Sequence, residues 1–517
     1  MKSKIFKISI IILFISFFIL LNWNSFSAPF ERDEGEYAYS AWLLRTGGTP
    51  YQDSFLQKPP LIIYTYLIGQ MMNPLAVWPP RMLASIFIFI TAILIYLIAK
   101  KEWGEIAGVF SAFLFLPMVG FPVLAPFAAN TEKFMILPMI GVLALFVYFK
   151  NSLKSWPYIL TGILSSIAIF YKPISLPVII FINIFWLFKL YKSYENPKIS
   201  LLVKPFLLLG GSTILTSIII LLPFFKVLHS FFQEVFTFNL FYASTFDNPL
   251  GNFINYLSKF FHYWWVLLFL LFGLLFEKPK NILYYFLLLT ISLLTVFSSP
   301  IGLGHYYLMI MPFLALLCGT LFNSILESLS LNNKQKKISI IIILPIILFI
   351  ILFPFKEQFS LNPQKLSEWV YGTANPFGES QEVANHLALI TNKNDYVFVA
   401  GSEPQIYYYA QRKSPTRFVI TYPLNLPTPF REQFQSELVN DLQKTPPQAI
   451  IISQRLYSGL WNEGSPQIFI NYFNNFTSQN YKIVGGYVWD SSDNGHWQEI
   501  LNDKSKQNAS LLLLIKK

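Results

Sequence analysis

Runs of about twenty apolar residues recur from the first residues to about residue 355, and no other feature limits the possible folds so tightly. "MKSKIFKISIIILFISFFILL" opens the chain with a basic start and an apolar stretch of full span length. No small-x-small cleavage site follows it, so it reads as an uncleaved first helix rather than a signal peptide. Further candidates lie near 80–99, 106–124, 134–149, 157–171, 174–190, 200–223, 262–276, 281–298, 305–323 and 338–355, giving about eleven spans. Only 13% of the residues are charged and mean hydropathy is +0.48, against about 25% charged in soluble domains. The expected fold class is a polytopic α-helical membrane protein. The single cysteine, Cys318, excludes a disulfide within the chain.

Charge orients the spans. Lys2, Lys4 and Lys7, Lys100 and Lys101, Lys150 and Lys154, Lys189, Lys192 and Lys198, Lys278 and Lys280, and Lys334, Lys336 and Lys337 all fall on one side when the spans alternate. The opposite loops carry scattered cations such as Arg32, Lys133 and Lys226. The positive-inside rule then gives a cytoplasmic N-terminus in a plasma (inner) membrane and an outer face holding residues 31–60, 125–133, 225–261 and the "SSPIGLGHYY" turn. The net charge is +11, yet residues 361–517 carry thirteen basic and thirteen acidic side chains, so the excess belongs to the membrane part. No basic stripe with stacking aromatics is visible, which excludes a nucleic-acid partner.

From about residue 360 the texture changes. "DYVFVAG", "TRFVITY", "QAIIISQ" and "YKIVGGYVW" have strand character, and "ESQEVANHLALITN" and "REQFQSELVNDLQK" have helical character. The alternation predicts an extracytoplasmic α/β domain over 358–517, mostly parallel, after a membrane domain over 1–357 whose first outer loop runs from about 23 to 79.

The chemistry-bearing residues cluster in the outer loops. "ERDEGEYAYSAWLLRTGG" reads as a helix capped by Asp33 and stopped by Gly47-Gly48. A cap explains one carboxylate; Glu34 beside Asp33 next to a membrane is costly unless a cation or polar substrate offsets it. "FLQKPPLIIYTY" ends the loop with Lys58, stiffened by Pro59 and Pro60. Lys58 is either a lysine reaching for head groups or a point charge for a lipid phosphate. In "APFAANTEKFMILP", Thr131 or Asn130 would cap a helix and Glu132 would suit its dipole, or Glu132 would face Asp33 across a cavity. "SSPIGLGHYYLMIMP" offers His305 and Tyr306 as solvated belt residues or as ligands for phosphate and sugar. Asn239, Tyr242 and Asp247 form a weaker aromatic-polar candidate.

"ERDEGEYAYSAWLLRTGGTPYQDSFLQKPPLIIY", "ANTEKFMILP" and "GHYYLMIMPFLALL" resemble the bacterial relatives of the dolichyl-phosphate-mannose protein mannosyltransferases, in the GT-C superfamily with the lipid A aminoarabinose transferases. The resemblance covers about residues 1–325. It implies an enzyme that takes a sugar from a polyprenyl-phosphate donor on the non-cytoplasmic face and passes it to a glycan, lipid or protein acceptor. It implies Asp33 as the base or acceptor-positioning carboxylate, Glu34 as its acidic neighbour, Lys58 at the donor phosphate and Glu132 as the second-loop acid. No metal ligand set is assigned, and a divalent cation is the one cofactor left open. Gln57 stands where the lipid A branch has a glutamate, which weakens a metal site borrowed from that branch.

A phosphate-linked sugar already carries a stabilised leaving group, so transfer needs a base for the acceptor hydroxyl and a cation for the departing phosphate. Asp33 and Lys58 supply these, and a single displacement would invert the anomeric carbon. A transporter or flippase would place ionisable groups mid-membrane, whereas the candidate spans are nearly free of them, with Lys172 near a span end. A non-catalytic envelope assembly factor is the other alternative. Truncation near residue 357 should separate them, the enzyme retaining some donor chemistry.

Overall fold

In a span that buries no water, the backbone can satisfy its own N–H and C=O groups only by closing helical hydrogen bonds. The apolar runs accordingly form helices. The computed structural model describes residues 2–121, 124–195, 197–244, 248, 250–255, 258, 279–298, 304–329, 332–455, 458–459, 464–490 and 495–517. Among these, six helices are long and apolar enough to cross a membrane: Trp78–Trp103, Thr131–Phe149, Pro173–Lys192, Ser200–Ala243, Met311–Ser328 and Ile338–Phe359. Shorter apolar helices include Ile10–Asn22, Glu105–Val119, Ser155–Tyr171 and Ile282–Phe297. The 262–276 candidate lies outside the described residues; each of the others overlaps a helix. The chain is a multi-pass membrane protein.

The chain divides into two compact units. The first comprises Met1–Ser25, Arg81–Leu222 and Asp247–Ser360 and is a helix bundle. Its helices approach closely where side chains are small, as expected when packing rather than water drives association. A Cβ on Gly319, in the helix Met311–Ser328, would lie 2.6 Å from Ser111 N of the helix Glu105–Val119. One turn along, Phe110 and Phe322 stack with centroids 3.7 Å apart.

The second unit comprises Phe26–Pro80, Pro223–Phe246 and Leu361–Lys517. Among the described residues its sheet has five strands, β1 (Val397–Ala400), β2 (Ala449–Ser453), β3 (Tyr481–Trp489), β4 (Gly495–Gln498) and β5 (Ala509–Lys516), in the order β1-β2-β5-β3-β4. Here the expectation of a mostly parallel sheet fails. Only β1 and β2 pair in parallel; β2–β5, β5–β3 and β3–β4 are antiparallel. Helical segments supply the long crossover that a parallel β1–β2 pair requires, whereas five residues join β3 to β4, enough only for a hairpin.

"TRFVITY" is also not a strand. Its backbone bonds locally and to loops: Phe418 N donates to Thr416 Oγ1 (3.3 Å), Thr421 N to Ser402 Oγ (3.0 Å), and Arg417 O accepts from Phe55 N (2.7 Å). Such side-chain partners compete with a ladder. The segment is nonetheless buried, because Phe418, Ile420 and Phe434 share one core with Phe55 and Phe238. The first loop and residues 223–246 thus contribute core side chains to the unit that holds the sheet.

Candidate active site

In the second unit, the helix Arg32–Arg45 begins at the acidic motif. Its cap is Glu31 and not Asp33: Glu31 Oε2 accepts from Asp33 N (3.0 Å) and Oε1 from Glu34 N (3.2 Å), while Glu34 reaches back to Glu31 N in a capping box. The expectation for Asp33 fails because a cap must precede the first helical residue, and Asp33 is already inside the helix. The helix start therefore uses Glu31 as its cap, and Asp33 is half-buried. Burial and the neighbouring Asp33 and Glu34 charges push the Glu31 carboxyl up from its usual range.

Glu34 is fully buried, with Tyr66 donating its hydroxyl to Oε1 at 3.4 Å. Arg32 leaves the helix the other way: its Nε donates to Ser402 O (2.7 Å) and its guanidinium lies 3.7 Å from Glu403. Pro59 and Pro60 end the loop and the helix Leu61–Met72 follows directly, with Tyr51 donating its hydroxyl to Lys58 O at 2.8 Å. Lys58 is half-buried.

Glu36, one turn on from Arg32, is 1% exposed, and its Oε1 has no hydrogen-bond partner among the described residues. Burial raises its pKa to about 8, against the pull of Lys58; Asp33 adds to the rise and Arg32 opposes it. Glu36 therefore lies within electrostatic reach of both Asp33 and Lys58. Gln57 is buried beside Lys58, and Asn239 holds its carbonyl at 3.0 Å. Asp247 is outside the described residues.

The first unit holds the other expected residues. Asn130 does precede the helix Thr131–Phe149, but neither it nor Thr131 caps it by a side-chain bond to the backbone; Thr131 instead donates to Glu132 Oε2 at 3.0 Å. Glu132 is 1% exposed and pairs directly with Lys172. His305 Nε2 lies 3.7 Å from the same carboxylate oxygen, and Lys172 Nζ sits 3.6 Å above the Tyr306 ring. Glu132, Lys172, His305 and Tyr306 form one cluster, with Glu132 and Lys172 buried and His305 and Tyr306 half-buried.

Three members of these clusters were not singled out as site residues from the sequence: Glu36, Tyr66 and Lys172. A signal existed for the lysine, since Lys172 precedes Pro173 at a helix start just as Lys58 precedes Pro59. Among the described residues, no group of three or more His, Cys, Asp and Glu could hold a metal ion.

The fold is shared, at low sequence identity, with solved structures of ArnT and AftD. The chain is similar to ArnT from Cupriavidus metallidurans bound to undecaprenyl phosphate, with a TM-score of 0.62 and 12% identity over 98% of this chain and 97% of that one. Against the apo form of that protein the TM-score is 0.60, with 12% identity over 99% and 98% of the two chains. The arabinofuranosyltransferase AftD from Mycobacteria matches with a TM-score of 0.50 and 10% identity over 98% of this chain and 41% of that one. No protein-family model matches the sequence, and comparison with curated protein sequences finds no match.

Proposed function

We propose that this protein is a membrane glycosyltransferase that moves a hexosyl or pentosyl group from a polyprenyl-phosphate donor to an envelope acceptor on the non-cytoplasmic face, with inversion. It would cross the inner membrane about eleven times. The observation that carries this reading is a fold shared along almost the whole chain with a protein bound to undecaprenyl phosphate.

Asp33 takes the proton of the acceptor hydroxyl. The acceptor oxygen attacks the anomeric carbon as the bond from that carbon to the phosphate oxygen breaks, and the lipid phosphate departs with the electron pair. Lys58 meets the charge that develops on it. Glu34 is fixed beside Asp33 by Tyr66 and the capping box. Within the first unit, Lys172 is held by Glu132 and Tyr306, with His305 beside the same carboxylate. Glu36, protonated at neutral pH, adds no competing negative charge near Lys58.

The test is sugar transfer from a labelled polyprenyl-phosphate donor. Asp33→Asn should lower turnover about 10²–10⁴-fold while the protein stays folded in the membrane. Wild-type turnover in that variant removes Asp33 from the mechanism, and a donor moved with its glycosidic bond intact identifies a transporter.

A further inference from the structure

At the other end of the first unit's helices lies a group of residues that sugar transfer does not use. The helix Thr131–Phe149 carries Glu132 at its start and Lys150 after its end, about 27 Å apart at 1.5 Å per residue. That is close to the thickness of a bilayer's hydrocarbon core, about 30 Å. Around Lys150, a cavity of about 160 Å³ is lined by Glu102, Lys189, Lys280, Asn281, Tyr284 and Tyr285, with Phe146 and Phe185 as apolar wall.

Three lysines face one carboxylate. That carboxylate, Glu102, is already engaged: Asn281 Nδ2 donates to it at 2.5 Å and Lys150 lies 3.5 Å away. The remaining positive charge has an ordinary explanation, because lysines gather at helix C-termini and on cytoplasmic loops. The tyrosines do not. Tyr284 is 5% and Tyr285 1% exposed, and neither hydroxyl has a hydrogen-bond partner among the described residues. A buried hydroxyl without a partner is unfavourable and calls for one. The helix Ile282–Phe297 also starts at this cavity without a side-chain cap; Asn281 sits before it in the left-handed conformation (φ 63°). The first amides of that helix are engaged, Ile282 N donating to Pro279 O (3.2 Å) and Tyr284 N to Asn281 O (3.0 Å), so it is the two hydroxyl donors and the lysine surplus that ask for an oxyanion.

We propose that this cavity binds the phosphate of an anionic lipid headgroup from the leaflet facing away from Glu132, with Tyr284 and Tyr285 donating to the phosphate oxygens and Lys189 and Lys280 balancing its charge. The depth along the helix and the aromatic wall favour a lipid over a free ion. The site is independent of the transfer reaction.

The test uses the full-length purified protein in phosphatidylcholine vesicles titrated with phosphatidylglycerol, followed by thermal unfolding and by native mass spectrometry of retained lipid. Phosphatidylglycerol should raise the apparent Tm and co-purify. Tyr284→Phe and Lys189→Gln should each raise the lipid fraction needed for half the effect by about tenfold. Both variants should match the wild type in pure phosphatidylcholine, since removing an unpartnered hydroxyl or an exposed charge does not unfold the site. An identical phosphatidylglycerol response in wild type and variants overturns the proposal, as does the absence of any response. A shift reproduced by inorganic phosphate alone reassigns the site to a free anion and overturns the lipid reading.

Discussion

Glu36 shows what burial does to a single carboxyl. Its folded pKa of about 8 stands above the usual 4.5. Below about pH 4.5 it is protonated folded or unfolded, and its contribution to stability is fully present. As pH rises from about 4.5 to 8, the unfolded chain releases this proton and the folded one keeps it, so stability falls; above about 8 the slope ends. Thermal unfolding across this range should therefore show a decline that Glu36→Gln removes. An unchanged profile in that variant rules out Glu36 as its source. Glu132 and Lys172 pose the complementary case, a buried pair of 1% and 5% exposure. Removing one partner strands a charge, at about 3–5 kcal/mol. Glu132→Gln or Lys172→Met alone should each lower stability by about that much, and the double variant by less than the sum. Additive losses in a double-mutant cycle would mean the pair is not coupled. Both charges are visible in the sequence; that they meet is not, because 40 residues separate them and no local pattern joins them.

At the scale of elements, the helix Arg32–Arg45 is anchored through its glycine. A Cβ on Gly35 would meet Gln405 N at 2.5 Å and Gln405 Cα at 2.9 Å, so the helix lies directly against the backbone of Gln405–Ala410. Gly35→Ala must push that backbone aside and should destabilise the second unit by about 1–3 kcal/mol, read as a lower unfolding midpoint. Wild-type stability would show that the two helices separate easily. The existence of this helix is legible from its acidic start and Gly47-Gly48 end. Its cap is not, because Glu31 and Asp33 are both acids at a helix start and only the backbone angles decide which is outside. β3 is legible from "YKIVGGYVW", whereas "TRFVITY" misleads: Phe418 and Ile420 are β-like because they are core residues, and their backbone partners lie in loops.

At the scale of the whole molecule, the first loop and the C-terminal region are not separable pieces. Phe55 packs on Phe418 and Phe434, Arg417 pairs with both Glu234 (2.6 Å) and Glu437 (2.6 Å), and Ser414 N donates to the Tyr39 hydroxyl (2.9 Å). Ending the chain after residue 360 removes this cover from the helix carrying Asp33. A truncated protein should therefore lose donor chemistry altogether and expose the first loop to limited proteolysis, in contrast to the residual activity expected from the sequence. A truncated chain with intact protease protection of residues 26–80 would show that the loop holds itself. By itself, the sequence determined the membrane character, the positions of most helices, the change of texture near residue 360 and the residues able to carry charge and chemistry. These are written in apolar run length, charge placement and residue type, which a short window of chain contains. Tertiary structure alone decided the strand directions, the true cap, the pairing of Glu132 with Lys172 and the core shared by residues 26–80, 223–246 and 361–517. Those depend on which distant surfaces fit once the chain is closed on itself, and a local stretch of residues holds no record of that.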